Sequence, residues 1–273
     1  MTASRQEQAL IYTVLGVFSL LAILPIVGIV LTSLQDQSAF APFGTLHGFH
    51  LSNFADAWRR GNFGRYLISS GIVVVAVVSV STVLSIMSGY AFALMRFRGS
   101  EALFYLVLLG LMVPTEAMIV PLYYDLRELQ LTNTYWALIL PQIGTSVAFG
   151  TFWMRAYFRS VPHSLVEAAR IDGASSWFTL WRVLLPLARP AVLTMTVLLF
   201  MWTWNEFLLA LVMVSDEGLR TAPLGLSFFQ GRNTGDLPLL AAGAMIVAAP
   251  VTIVYVFLQR HFIRGMVSGA VKG

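Results

Sequence analysis

Three glutamates stand where a carboxylate is costly or conspicuous. Glu116 and Glu206 lie within long apolar runs, and Glu167 sits in a polar stretch between two such runs. At 1.5 Å per helical residue, Glu116 is ~21 Å into its run and Glu206 ~24 Å into its own. A charge at mid-bilayer depth costs about 2.5–3.5 kcal/mol on insertion scales, so it is expected to face a cavity or a partner. Glu206 closes Trp202-Thr203-Trp204-Asn205-Glu206, whose rings and amide could stack on a polar solute and hydrogen-bond to it. For Trp204, Asn205 and Glu206 a translocation-pathway or inter-subunit role stands beside plain interfacial anchoring. Glu116, between Pro114 and Pro121, reads first as structural or interfacial, with the pathway role kept as its alternative.

Other chemistries find no support. His47 and His50 are three apart, but no third ligand stands at a useful spacing, so a surface loop is expected and no metal site. The four histidines do not form His-Glu-x-x-His. Gly-x-Ser-Gly is absent, because Ile68, Ile86 and Met266 occupy the glycine position before Ser70, Ser88 and Ser268. There is no cysteine. Lys272 is the only lysine, which excludes a phosphate-binding loop ending in Gly-Lys-Ser/Thr. The chain is therefore expected to be no enzyme and to bind no cofactor. If ATP drives it, another chain hydrolyses the ATP.

The elements that must position these residues are membrane helices. Of the 273 residues 58% are hydrophobic and 11% charged, with a mean hydropathy of +0.77. A soluble domain could not hide so much apolar surface. Six segments are long enough to cross ~30 Å of hydrocarbon: Ala9–Leu34, Tyr66–Met95, Ala102–Pro121, Asn133–Phe152, Pro190–Val214 and Pro238–Leu258. The expected fold is an all-α bundle of six transmembrane helices. The first run is too long for a signal-peptide core and reads as a retained span. With the amino terminus inside, eleven of the seventeen basic residues fall on the cytoplasmic side and six outside, which favours both termini in the cytoplasm. The same asymmetry explains the basic excess without nucleic acid. In the second span Ser81, Ser85, Gly89 and Ala93 recur every four residues, a stripe that lets another helix approach closely. The loop Ser215–Asp236 is too long for a bare hairpin; it reads either as a solvated connector or as a contact for another macromolecule.

Between Arg155 and Arg189 no full span fits, and five arginines (155, 159, 170, 182, 189) gather there. Val161-Pro162-His163-Ser164 reads as a helix start. Leu165, Val166, Ala169 and Ile171 form its apolar side, and Asp172-Gly173 ends it. A second helix, Ser175 to Leu185, is expected to stop at Leu185-Pro186. Such a short helix lies across the end of a bundle and offers side chains to a cytoplasmic partner.

Glu167-Ala168-Ala169, Gly173, Val183 and Leu185-Pro186 together resemble the signature of permease subunits of binding-protein-dependent ABC importers, with Val183 in place of the usual Ile. Ile171-Asp172-Gly173-Ala174, Trp204-Asn205-Glu206-Phe207-Leu208, Val113-Pro114-Thr115-Glu116 through Pro121-Leu122-Tyr123, and Asn133-Thr134-Tyr135-Trp136-Ala137 are similar to the carbohydrate branch, as in the second permease of maltose-type importers. The likeness runs from about Asn53 to Gly273. It implies a type I importer permease fold: first helix and external loop in 1–65, permease core in 66–260 with a cytoplasmic coupling loop at 155–189, and a cytoplasmic tail in 261–273. It implies that Glu167 makes a charged contact with a partner ATPase, that Ala168 and Ala169 permit close approach, and that Asp172 and Gly173 form the turn. The implied partners are a second homologous permease, two cytoplasmic ATPase subunits holding ATP and Mg, an extracytoplasmic binding protein, and the lipid of a bacterial inner membrane. The implied cargo is a mono-, di- or oligosaccharide, with glycerol phosphate or glycerophosphodiesters as the alternative. An ATP-independent secondary transporter is the rival class; it predicts inverted repeats, which are not evident.

Overall fold

The computed structural model describes residues 4–36, 48–230 and 237–270, with backbone alone at 230 and 260–270. His47, Gly231, Arg232, Gly235, Asp236 and Lys272 lie outside the described residues. Every regular element among the described residues is helical: α1 (Arg5–Ser33), α2 (Ser52–Arg60), α3 (Phe63–Leu94), α4 (Ser100–Met112), α5 (Thr115–Glu128), α6 (Tyr135–Arg159), α7 (His163–Ile171), α8 (Ser176–Trp204), α9 (Leu208–Met213) and α10 (Leu237–Ala270), with short helical turns between α9 and α10. In hydrocarbon no water satisfies backbone groups, so each segment must satisfy its own, and helices do so. Among the described residues α1, α3, α6, α8 and the Leu237–Gln259 part of α10 are long and apolar enough to cross a membrane.

Two expected spans differ. Ala102–Pro121 is not one straight helix, because α4 and α5 meet at a bend of 98°. Pro114 donates no hydrogen bond and pushes the preceding residue out of the helical region; Val113 is extended at φ −82°, ψ 118°. Glu116 therefore lies in the first turn of α5, at the positive end of that helix, rather than deep in a continuous span. The fifth span begins at Ser176 instead of Pro190 and ends at Trp204 instead of Val214. Leu185-Pro186 does not stop it. Thr179–Leu184 forms a wide π-type turn in which the Leu185 N–H bonds to the Leu180 carbonyl. Such a turn absorbs the local disruption of a proline without ending the helix.

The chain divides into two compact units, one of residues 1–65 with 225–249 and one of residues 66–224 with 250–273. In the first, α1 opens on a capping box: Ser4 Oγ accepts the Glu7 N–H at 3.3 Å and Glu7 Oε2 accepts the Ser4 N–H at 2.7 Å. Arg5 and Glu7 thus form the first helical turn. Most of α1 is exposed, and its far end is fastened by buried Asn53, whose amide donates to the Ser33 and Gln35 carbonyls at 2.9 and 2.7 Å. Phe63 stacks on Phe229 at 6.1 Å.

The second unit is organised by the small-residue stripe of α3, which packs on α6. A methyl group added to Gly89 would sit 2.5 Å from Met154 Cβ and 3.0 Å from the Arg155 backbone, and one added to Gly150 would overlap Ser85 Oγ. Ser88 Oγ and Thr151 Oγ1 share a 2.6 Å hydrogen bond across the same seam. Toward one end the seam runs into a cluster of Ile86, Tyr90, Met154, Phe158, Leu184 and Met195. Toward the other, Val73, Val77, Leu138, Leu209 and Met213 form a second cluster with α5. Gly89→Ala is expected to destabilise the protein by about 1–3 kcal/mol through overpacking. Gly110→Ala, whose added methyl lies 3.8 Å from Ala148 Cβ, should leave stability nearly unchanged. Thermal unfolding of the detergent-solubilised variants checks the contrast.

Candidate functional site

Helix α7 is nine residues long and connects the end of α6 to the start of α8. Val166 and Ala169 are buried, Val166 in one apolar cluster with Phe158, Leu180 and Leu184. Glu167, Ala168 and Arg170 are exposed. Ile171, expected on the inner side, is 86% exposed, because two residues past Ala169 lies about 200° around the helix. The expected polar cap at the start is absent: Pro162 holds that position and no side chain accepts there. The end is closed as anticipated. Gly173 sits at φ +78°, and the N–H groups of Ala174 and Gly173 reach back to the carbonyls of Ala169 and Arg170 at 2.9 and 3.0 Å. Trp177 and Phe178, exposed at the start of α8, extend the outward surface beside Ile171.

Glu167 and Arg170 line a cleft of about 370 Å³ with Leu94, Arg96, His163 and Val166. Arg96 and Arg170 thus put positive charge beside Glu167, with His163 in the same cleft. Arg96 and His163 are 67 positions apart in the sequence, and only the packing of α7 against the end of α3 brings them together. Arg155, expected among the arginines offered outward, is 6% exposed and is held internally. Its guanidinium donates to Glu101 at 2.9 Å and to the Phe92 carbonyl at 3.3 Å, and it lies 3.6 Å from the centroid of the Phe104 ring. Arg159 shares the same carboxylate oxygen at 3.2 Å. Glu101 was missed; its helix-start position before an apolar run was the only signal.

The Trp204-Asn205-Glu206 stretch does not lie on one helix, since α8 ends at Trp204. Trp204 is 6% exposed and stacks on Phe200 at 5.8 Å. Trp202, 53% exposed, meets Phe149 edge-on at 4.7 Å. The Asn205 amide donates to the Met201 carbonyl at 2.8 Å. Glu206 Oε1 accepts the Leu209 N–H at 2.7 Å and so caps α9. Glu206 also borders a tight gap, too small for a water molecule, with Ser70, Val73, Leu138, Gln142, Thr203, Ala210 and Thr221. Ser70 and Thr203 face it from α3 and α8, and Gln142 from α6. Glu116 is exposed at the α4–α5 bend and is not among them.

Within Ser215–Leu224, residues Ser215, Asp216 and Glu217 are exposed while Gly218, Thr221, Ala222 and Leu224 are buried, and hydrogen bonds tie the stretch to α3 and to Asn133. Asn133, at φ +58°, accepts the Ser215 and Asp216 N–H groups on Oδ1 at 3.1 and 2.8 Å and donates its own N–H to the Met213 carbonyl. Ser69 donates to the Gly218 carbonyl, and Ser70 Oγ accepts the Ala222 N–H at 2.8 Å.

The fold and these surfaces define a multi-pass membrane protein with an exposed short helix between two spans. The chain belongs to the family of binding-protein-dependent transport system inner membrane components, whose model matches residues 81–268. It is 38% identical to the probable ABC transporter permease protein YurM of Bacillus subtilis over 82% of this chain and 75% of that one. It is 31% identical to the diacetylchitobiose uptake system permease protein NgcG of Streptomyces coelicolor, over 98% and 89% of the two chains. With the arabinooligosaccharides transport system permease protein AraQ of Halalkalibacterium halodurans identity is 33%, over 93% and 92%. Its fold matches a chain of a bacterial ABC transporter involved in import of the acidic polysaccharide alginate, with a TM-score of 0.82 and 24% identity over 96% and 99% of the two chains.

Glu101→Gln would leave the nearly buried Arg155 guanidinium without its anion. Because the Glu101 side chain is 64% exposed, water screens the pair, and a cost of about 1–2 kcal/mol is expected. Arg159→Gln, at a half-exposed site, should cost less than about 1 kcal/mol. Unfolding midpoints of the two variants give the order; a larger loss at Arg159 would contradict the internal role of Arg155.

Proposed function

We propose that this chain is the sugar-importing permease of an ATP-driven transporter, with a second permease, two ATPase subunits and an extracytoplasmic binding protein as its partners. The observation that carries the coupling part is the two-sidedness of α7: Val166 and Ala169 are anchored in the chain's own core, while Glu167, Ala168, Arg170 and Ile171 face outward. A helix held on one side and free on the other can receive a push from a partner and pass it to α6 and α8. In this reading Glu167 forms the ion pair with the ATPase, Ala168 lets the partner backbone approach, and Asp172 and Gly173 keep the turn stiff. ATP and Mg bind on the partner subunits. Both termini and α7 face the cytoplasm, as the basic residues favour.

The sugar assignment rests on relatives named for diacetylchitobiose, arabinooligosaccharide and trehalose uptake. Trp202, with its exposed ring beside Phe149, offers a stacking face that suits a sugar ring. Glu206, Gln142, Thr203 and Ser70 supply hydrogen-bonding groups that a solute reaches only once the helices around them part, because the gap between them admits no water-sized molecule. Asn205 and Trp204 position these groups, and Glu116 serves the α4–α5 bend.

Glu167→Arg places like charge against a cationic partner site. Losing a buried ion pair of this kind costs on the order of 3–5 kcal/mol, so the variant should assemble poorly with the ATPase or hydrolyse ATP without transport. Coupled uptake at the normal rate would overturn the reading of α7. Mass spectrometry of the ligand retained by the cognate binding protein tests the cargo separately; an amino acid or metal ion there would overturn the sugar assignment.

A further inference from the structure

Next to α7, a second cleft of about 500 Å³ opens between the last turn of α3, the turn after it and the first turn of α4. Arg96, Arg98 and Arg159 line it, with Glu101 as its single acid. That carboxylate is already shared by Arg155 and Arg159, and among the described ion pairs neither Arg96 nor Arg98 has an anionic partner. The cleft is therefore strongly cationic. Its walls include the partly exposed apolar side chains of Met95 and Phe97.

An apolar groove of about 370 Å³ begins one residue further along α4, lined by Ala102, Tyr105, Leu106, Leu108, Leu109 and Met112 of that helix alone. Glu101, Tyr105, Leu108 and Met112 are four, three and four residues apart, so cleft and groove share one helix face. From Ala102 to Met112 the helix rises ~15 Å, half of a ~30 Å hydrocarbon layer. The groove is one leaflet deep, and the cations sit at its mouth.

We propose that this face binds one anionic phospholipid, its phosphate held by Arg96, Arg98 and Arg159 and one acyl chain lying in the α4 groove. A free inorganic anion would use only the cationic half. An acidic protein segment would leave the apolar half uncovered. The bound phosphate competes with Glu101 for Arg159, which places the lipid's charge one helix end away from α7, whose neighbouring cleft Arg96 also lines. The site needs only that the helices cross a bilayer, whatever the cargo.

The test uses the full-length chain purified with the subunits that accompany it and placed in nanodiscs of phosphatidylcholine with increasing phosphatidylglycerol. Retained lipid is read by native mass spectrometry. Wild type should retain phosphatidylglycerol selectively. Each arginine near an anionic surface accounts for roughly fivefold in affinity, so Arg96→Gln with Arg98→Gln should weaken retention roughly thirtyfold. Arg96→Lys with Arg98→Lys keeps the charge and should keep most of the retention, which separates lost binding from misfolding. Leu106→Asn with Leu109→Asn should weaken retention while leaving the arginines in place. Selectivity unchanged in the glutamine variant would overturn the proposal. Displacement of the lipid by millimolar inorganic phosphate would mark a free-anion site and would also overturn it. So would loss of ATPase co-purification in the glutamine variant with lipid retention intact, since the face would then be a protein interface.

Discussion

The close approach of α3 and α6 is the constraint on which the second unit depends. Gly89 meets Met154 and Gly150 meets Ser85 at distances that no side chain larger than hydrogen allows. Between membrane helices, burial from water supplies little attraction, so association relies on packing and on hydrogen bonds such as Ser88 to Thr151. Because the backbones come this near, the side chains flanking the seam are drawn into two clusters, one at each end. The rest of the unit is assembled on those clusters.

One cluster reaches the outward helix. Met154 and Phe158 on α6, Leu180 and Leu184 on the π-type turn, and Val166 on α7 belong to the same apolar group. Dense packing transmits displacement with little loss, since cores are nearly incompressible. Val166 thus ties α7 to the seam and to α8 by direct packing rather than through a loop. Trp153 and Tyr157 reinforce the path by donating to the carbonyls of Ala191 and Leu187 at 3.0 and 2.8 Å. Arg155 closes the same end by binding α4 through Glu101 and α3 through the Phe92 carbonyl. Glu206 lies toward the cluster at the other end of the seam, beside Val73, Leu138 and Ala210.

Much of this was legible beforehand because a bilayer restricts the choices. Long apolar runs had to be helices, the four-residue stripe had to face another helix, and Asp172-Gly173 had to end α7. Errors fell where two local rules competed. Pro186 and Pro190 argued for a break, but a wide turn absorbed the first and the helix ran on to Trp204. Pro114 sat in a run long enough to cross, yet the chain turned there by 98°. Ile171 looked like part of an apolar stripe by composition, although its angular position put it outside.

The sequence by itself determined the class of protein, the helical fold, the outward motif from Glu167 to Gly173 and its kinship with importer permeases. The class, the fold and the short helix follow from hydropathy, spacing and turn chemistry, and the kinship from the motifs' resemblance to a known family; all are properties of the chain read locally. Only the tertiary structure decided which polar groups meet. Glu101 and Arg155 are 54 residues apart, and Asn133 reaches residues 82 and 83 positions away. Whether an arginine faces a partner or is buried against a carboxylate of its own chain depends on packing between distant helices, and no local pattern encodes that.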